Sequence, residues 1–259
     1  MEIEIDFTKS AQDNADEHYK KAKKLLLKKE GAEKAVKELE ARLAKAEKDN
    51  VTVQKPRPKK IIEKQWYEKF HWFFTSNNML VIAGKDAHQN EMLNSKHFED
   101  SDLFFHANIF GAPVTILKGG REAGVEIRQE VAQFAASYSS AWKQGLHAID
   151  VYAMKRDQVS KSTGKGSLGT GSFLLSGERD WYRSVRLALV FFVKDERLNA
   201  VPYVTAGKIK GSAPKFVVIE IGKDKKSDAA KKISRALDYQ DIDSIIQKLP
   251  AGEFKVMQQ

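Results

Sequence analysis

The 259-residue chain contains no cysteine. That excludes a disulfide framework, a thiolate nucleophile and any cysteine-ligated zinc or iron–sulfur site. Long apolar runs are missing as well. The longest, LALVFFV at 187–193, suits a buried strand and falls far short of the ~20 residues needed to cross a bilayer. The opening MEIEIDFTKS is acidic and has no apolar centre, so no signal peptide is expected. No carboxylate pair, metal-ligand set or activated nucleophile stands out, and GKGS at 164–167 lacks P-loop spacing. These absences lead us to expect a cytoplasmic protein that is not an enzyme, contacts no membrane and needs no metal or cofactor.

What is present is positive charge. The formal net charge is +9 and the pI about 9.4, which favours polyanionic partners, RNA before an anionic membrane surface. A hydrophobic content of 42% argues against global disorder. The excess is concentrated in three places. Residues 55–64 carry a net +4, residues 155–186 seven Lys/Arg against three acids, and residues 205–232 eight lysines against three acids. If these share one face, they make the footprint of an RNA binder whose affinity falls as salt rises.

The chain reads as three regions. Over residues 1–50, twelve basic and twelve acidic side chains balance, and apolar or small residues from Ala11 to Ala46 recur at alternating spacings of four and three. This is the heptad seam of a coiled coil, broken only by His18 and Lys29. The unbroken phase favours one long helix over a hairpin turning at Gly31. The seam is rich in alanine, so it packs closely but weakly and needs a partner helix. Residues 51–64 form a basic linker in which Pro56 and Pro58 enforce an extended path.

Residues 65–259 form the globular part. HWFFTS and MLVIAG are β-rich runs joined at Asn77-Asn78, where asparagine suits a tight hairpin. Residues 86–98 read as a helix beginning at Asp86, and LFFHAN with PVTILK as a second strand pair. Residues 123–143 read as one amphipathic helix presenting Val131, Phe134, Ala135, Tyr138 and Trp142. Further strands lie at HAIDVYAM, RLALVFFVKD, AVPYVT and FVVIEIG, and short helices at 227–237 and 241–248. The irregular alternation predicts an α+β domain built on a mixed sheet.

Five ordered blocks carry a resemblance. They are SAQDNADEHYKKAKK (10–24), WYEKFHWFFTSNNMLVIAGKDAHQNE (66–91), DLFFHANIFGAPVTILK (102–118), ASYSSAWKQG (136–145) and QVSKSTGKGSLGTGSFLLSG (158–177). Together they resemble the coiled-coil arm and NFACT-R domain of the ribosome-quality-control proteins that include RqcH and NEMF. The tail KDKKSDAAKKISRAL looks more like archaeal members. Asn108 departs from the family's usual aspartate and Ala83 from a usual glycine. The NFACT-N domain that usually precedes these blocks has no counterpart in this sequence. The resemblance implies the large ribosomal subunit, tRNA and rRNA as partners. It also implies a second NFACT-N-bearing protein, or another copy of this chain, along the coiled coil.

Two clusters are candidate RNA contacts. In the loop 158–172, Gln158, Ser160, Lys161, Lys165, Thr170 and Ser172 offer donors, and four glycines let backbone approach phosphate. The plain alternative is a flexible connection. In the second cluster, Lys85 suits phosphate, while Gln89 and Asn90 suit base edges or 2′-hydroxyls beside Asp86. Alternatively, Asp86 caps a helix and Asn90 satisfies buried backbone. His106 and Lys118 complete the set through the resemblance. In a strand, Asp102 and His106 would lie ~13 Å apart, too far for a catalytic pair. His106 is therefore expected to be structural or base-stacking. Ser139 and Ser140 read as packing or capping residues, and the aromatics from Trp66 to Phe73 as core before stacking platform. A general RNA-binding or RNA-modification accessory module and a coiled-coil scaffold are the rival readings.

Overall fold

The computed structural model describes residues 5–49, 65–163, 166–209 and 215–258. The basic linker and Lys165 lie outside the described residues. The chain divides into two units, 1–63 and 64–259.

In the first unit, Ala11–Asp49 (α1) is one helix of 39 residues, about 58 Å long, running through Gly31 without a break. Its start is held by local bonds. Ser10 Oγ accepts from the Asp13 amide and donates to the Asp13 carboxylate. Asn14 is buried and clasps Asp6, accepting from its amide and donating to its carbonyl, both at 2.9 Å. On the seam, Leu25, Val36 and Leu39 are exposed.

The second unit begins with a hairpin of His71–Phe74 (β1) and Leu80–Ala83 (β2). Asn78 turns it with φ +61°, the left-handed conformation asparagine tolerates. Ala87–Lys96 (α2) follows, then Leu103–Ala107 (β3), Thr115–Leu117 (β4), Val125–Ser137 (α3) and Ser140–Lys143 (α4). Ala148–Lys155 (β5) leads into four two-residue strands at 159–160 (β6), 162–163 (β7), 166–167 (β8) and 174–175 (β9). Asp180–Arg186 (β10), Leu189–Lys194 (β11), Arg197–Pro202 (β12), Ala206–Ile209 (α5) and Phe216–Asp224 (β13) come next. Lys226–Leu237 (α6), Ile242–Lys248 (α7) and Phe254–Gln258 (β14) complete the unit.

A six-stranded sheet runs β1-β2-β4-β3-β5-β10 and a four-stranded sheet β12-β11-β13-β14. The α+β class holds, but every pairing among the described strands is antiparallel, not mixed. Hairpins and strand reversals join these strands, whereas parallel neighbours need crossovers. The longest connection on the large sheet, through α3 and α4, leads to β5, which pairs antiparallel with β3. The expected single helix at 123–143 is likewise two. The first ends at Ser137, and Ser139 caps the second, its hydroxyl accepting from the Ala141 amide.

Side chains alternate along the large sheet. Leu103, Phe105 and Ala107 join one cluster with α3, the small sheet and α6, while Phe104 joins Phe70, Leu93, Phe98 and Tyr152 on the other face. Helix α3 is buried almost all round, and its polar side chains bridge to the chain around it. Gln133 donates to the Arg186 carbonyl (3.0 Å) and accepts from the Val204 amide (2.8 Å). Ser137 both donates to the Ala188 carbonyl and accepts from its amide. Glu130 accepts from the Ser76 amide (2.9 Å) and pairs with Lys208.

Replacing Gln133 by leucine keeps the volume but strands one carbonyl and one amide. Urea unfolding of Gln133→Leu is expected to show a loss of about 3 kcal/mol. A loss below about 1 kcal/mol would mean that water reaches both groups and that the bridge carries little.

Candidate nucleic-acid interface

The turn after β2 is built for close approach. Asp86 adopts extended backbone and its carboxylate accepts from the Gln89 amide (2.8 Å), capping α2. Asn90 Oδ1 accepts from the Val114 amide (3.0 Å), tying α2 to the segment entering β4. A Cβ at Gly84 would lie 2.2 Å from that oxygen, so this position needs glycine. Gln89 accepts from the Lys85 amide (3.1 Å) and donates to the Lys69 carbonyl. Asp86 and Asn90 are thus committed to shaping the turn, while the Lys85 ammonium is left for other work.

The glycine-rich loop is latched to α2 at Lys161 and Gly171. Lys161 Nζ donates to Glu91 of α2 (2.7 Å) and to the Gly169 carbonyl (2.8 Å), and Glu91 also accepts from the Gly171 amide (3.1 Å). Gly171 sits at φ +77°, and a Cβ there would meet Ala87 at 2.9 Å. The Lys161 hydrogen bond, followed by that from Gly171, holds the Glu91 carboxyl below its ordinary range. Two candidates from the sequence turn inward here. Lys161 serves the latch, and Gln158 spans the Lys155 amide and the Glu178 carbonyl.

Lys118 also has an internal role. It donates to the fully buried Asp102 (2.6 Å) and to the His97 carbonyl (3.1 Å), while Asp102 accepts from the Glu99 and Gly119 amides. Asp102 is thereby spoken for, well apart from His106. The His106 ring lies parallel to Phe104 and within 3.3 Å of the Tyr152 hydroxyl, and burial pushes it down to about 4, so it is neutral at physiological pH. Of the aromatic run, Phe70 and Phe73 are core, while Trp66 is exposed and stacks on His97. Ser140 donates to the Phe110 carbonyl.

The two clusters meet in an open cleft of about 850 Å³. Lys85, Asp86 and Asn90 line it from one side, Thr170 and Ser172 from the glycine-rich loop, and His106 from β3. Gln89, Lys118, Gln158, Ser160 and Lys161 are not on its walls. The structure adds residues that local sequence reading missed: His71 and Tyr138, with Lys226 at the start of α6 and Gln247 near the end of α7. Tyr138 stacks on His71 at 4.0 Å and donates to the Lys248 carbonyl (2.7 Å), fixing α7 beside β1. Only the basic count over 205–232 hinted at Lys226, and nothing hinted at its neighbours. Among the described residues, no group of three or more His, Asp or Glu is placed to hold a metal.

Replacing Glu91 by glutamine weakens the latch while keeping its shape. Hydrogen exchange at Gly171 is expected to quicken several-fold in Glu91→Gln, because its amide loses a charged acceptor. In the parent chain the carboxylate's contribution is complete above the ordinary glutamate value of 4.5 and is lost as pH falls through the lowered folded value. Unchanged exchange in the variant would show that the loop is held without Glu91.

Residues 69–177 match the family described as NFACT protein RNA binding domain. The chain is 38% identical over 203 residues to the "Archaeal Rqc2 homolog aRqcH" of Methanocaldococcus jannaschii, covering 75% of this chain and 30% of that protein. It is 32% identical over 198 residues to the "Ribosome quality control complex subunit NEMF homolog" of Drosophila melanogaster, 72% of this chain and 19% of that one. It is 29% identical over 187 residues to the "Ribosome quality control complex subunit 2" of Schizosaccharomyces pombe, with 69% and 18% covered. The chain thus spans less than a third of the length of these relatives. Among the described residues no helix is long and apolar enough to cross a membrane. The matched domain contributes both the Gly-Lys-Asp turn and the glycine-rich loop that face each other across the cleft, and the chain belongs to the NFACT-R family.

Proposed function

We propose that this chain is a cytoplasmic, non-enzymatic RNA-binding component of ribosome-associated quality control. It recognises large ribosomal subunits that carry obstructed peptidyl-tRNA and assists tRNA handling while the stalled nascent chain is tailed. The observation that carries the reading is the cleft. In a domain of an RNA-binding family, it joins an unpaired lysine, hydroxyl donors and a glycine-rich backbone on facing walls. Such walls suit sugar and phosphate, which fix position, more than base edges, which specify sequence. Two of the relatives are named as ribosome quality control complex subunits, and this chain takes that setting by likeness.

In this reading α1 is the arm. Its exposed leucines meet a partner helix, from a separate NFACT-N-bearing protein or from a second copy of the chain. Binding is the activity this reading assigns to the matched residues.

Co-sedimentation with large subunits, with and without peptidyl-tRNA, tests the proposal across a salt series. Preference for the tRNA-carrying subunit is expected, with affinity falling about 50-fold from 50 to 200 mM salt if about four phosphates are contacted. Equal binding to any RNA would replace this with a general RNA module. A tight dimer without salt-sensitive RNA affinity would make the chain a coiled-coil scaffold.

A further inference from the structure

Most lysines with defined partners in the globular unit are neutralised. Lys118, Lys161, Lys208, Lys231 and Lys232 each face a carboxylate within 4 Å. Three are not. Lys85 after β2, Lys226 at the start of α6 and Lys248 at the end of α7 make no ion pair within 4 Å among the described residues, although the neighbouring Asp86 carboxylate acts on Lys85. All three nevertheless bear on one ring, His71, whose protonation is suppressed by burial first and by Lys85, Lys248 and Lys226 next. Glu68, the acid acting on Lys248, is already held by Arg197 at 2.9 Å.

This arrangement works against stability. Burial lowers the affinity of Lys85 and Lys226 for their protons. Burial, followed by repulsion from Lys85, brings Lys248 down to about 8 from an ordinary 10.5. The Trp72 ring beneath the Lys248 ammonium (4.8 Å) gives only a weak counterweight. Like charges held together and partly out of water destabilise a fold unless an opposite charge joins them. Nothing in the packing calls for three cations here, since Tyr138 reaches Lys248 through its backbone carbonyl, which any residue supplies.

The site opens to the cleft, since Lys85, Lys226, His71 and Tyr138 line it, and Lys248, itself off the lining, sits between Gln247 and Leu249, which also line it. Helix α6 begins there without a side chain capping its first amides. We propose that Lys85, Lys226 and Lys248 form a binding site for one phosphate group at the His71 end of the cleft. The cleft is several times larger than a bare phosphate, so the phosphate arrives as part of a nucleotide, either at a strand end or within the chain. That source rests on the RNA-binding reading. The anion chemistry rests only on the three lysines.

The test uses the full chain with inorganic phosphate, a nucleoside 5′-monophosphate, and a short RNA with and without its terminal phosphate. Calorimetry measures affinity, thermal melting measures stability, and proton resonances follow the His71 ring. Phosphate is expected to bind the parent chain and to raise the pH at which His71 titrates, because it neutralises the lysines around it. Lys226→Met and Lys248→Met are each expected to melt higher than the parent in phosphate-free buffer and to lose at least about tenfold in phosphate affinity. Higher melting shows that a variant has folded, so its lost binding is not lost structure. No phosphate or nucleotide binding by the parent, or unchanged affinity in both variants, would overturn the site. If both variants still bind short RNA as the parent does, this site is refuted and RNA binding stands. If phosphate binds and is lost in the variants while RNA of either form never binds, the site stands and the RNA reading falls. Loss of affinity on removing the RNA's terminal phosphate assigns the site to a strand end, and no loss assigns it to a phosphodiester.

Discussion

The globular unit depends on one buried helix being held from several directions at once. Helix α3 packs against the large sheet, and through Gln133 and Ser137 it grips the backbone that leads from that sheet into the small one. A purely apolar helix could bury as much surface, but apolar packing is non-directional and would not fix how the two layers meet. Hydrogen bonds to named carbonyls and amides do fix it, since each lost partner would leave a buried polar group unsatisfied. The consequence appears at the end of the helix. There Tyr138 stacks on His71 of β1 and bonds the last residue of α7, so one side chain sets the distance between cleft walls drawn from three parts of the chain.

That geometry changes how the charge should be read. Net counts along the sequence marked 155–186 as strongly basic, yet much of that charge is already satisfied. Arg183 pairs with Asp150, Arg186 with Glu220 and Lys161 with Glu91, and Arg156 bonds the Val159 carbonyl. The cleft draws its positive charge instead from Lys85 and Lys226, which line it and make no ion pair within 4 Å among the described residues. A count sums charges, whereas a partner responds to the charges left over after internal pairing.

Local features were the legible ones. The Asn78 turn, the Asp86 cap and the alternation in LFFHA are each set by residues within a few positions of one another, so the sequence displays them directly. The break was hidden because the apolar spacing continues through it to Trp142, while Ser139, in extended backbone, caps a new helix through its bond from Ala141. The antiparallel order was hidden because periodicity is blind to partner and direction. The candidate site was half legible for a related reason. Lys85 and the glycine-rich loop sit in distinctive motifs, but their roles split according to contacts 70 or more residues away, as with Lys161 and Glu91. Lys226 and Lys248 lie in ordinary helical surroundings and become notable only when α6 and α7 fold back against β1.

The arm shows the opposite balance. The SA-x-x-NA pattern at its start is explained locally, since Ser10 caps the helix and Asn14 ties the preceding residues to its first turn. From there α1 runs as a long helix whose seam leucines remain exposed. Alanine at five seam positions favours the helix intrinsically yet gives each turn little area to bury. Such a helix gains little from collapsing on itself and much from a close-fitting neighbour along its whole length. Its evenly balanced charges point the same way, because an arm meant to grip phosphate would carry an excess of lysine. The chain thus divides its work by composition, with the balanced helix suited to another helix and the basic cleft to an anion.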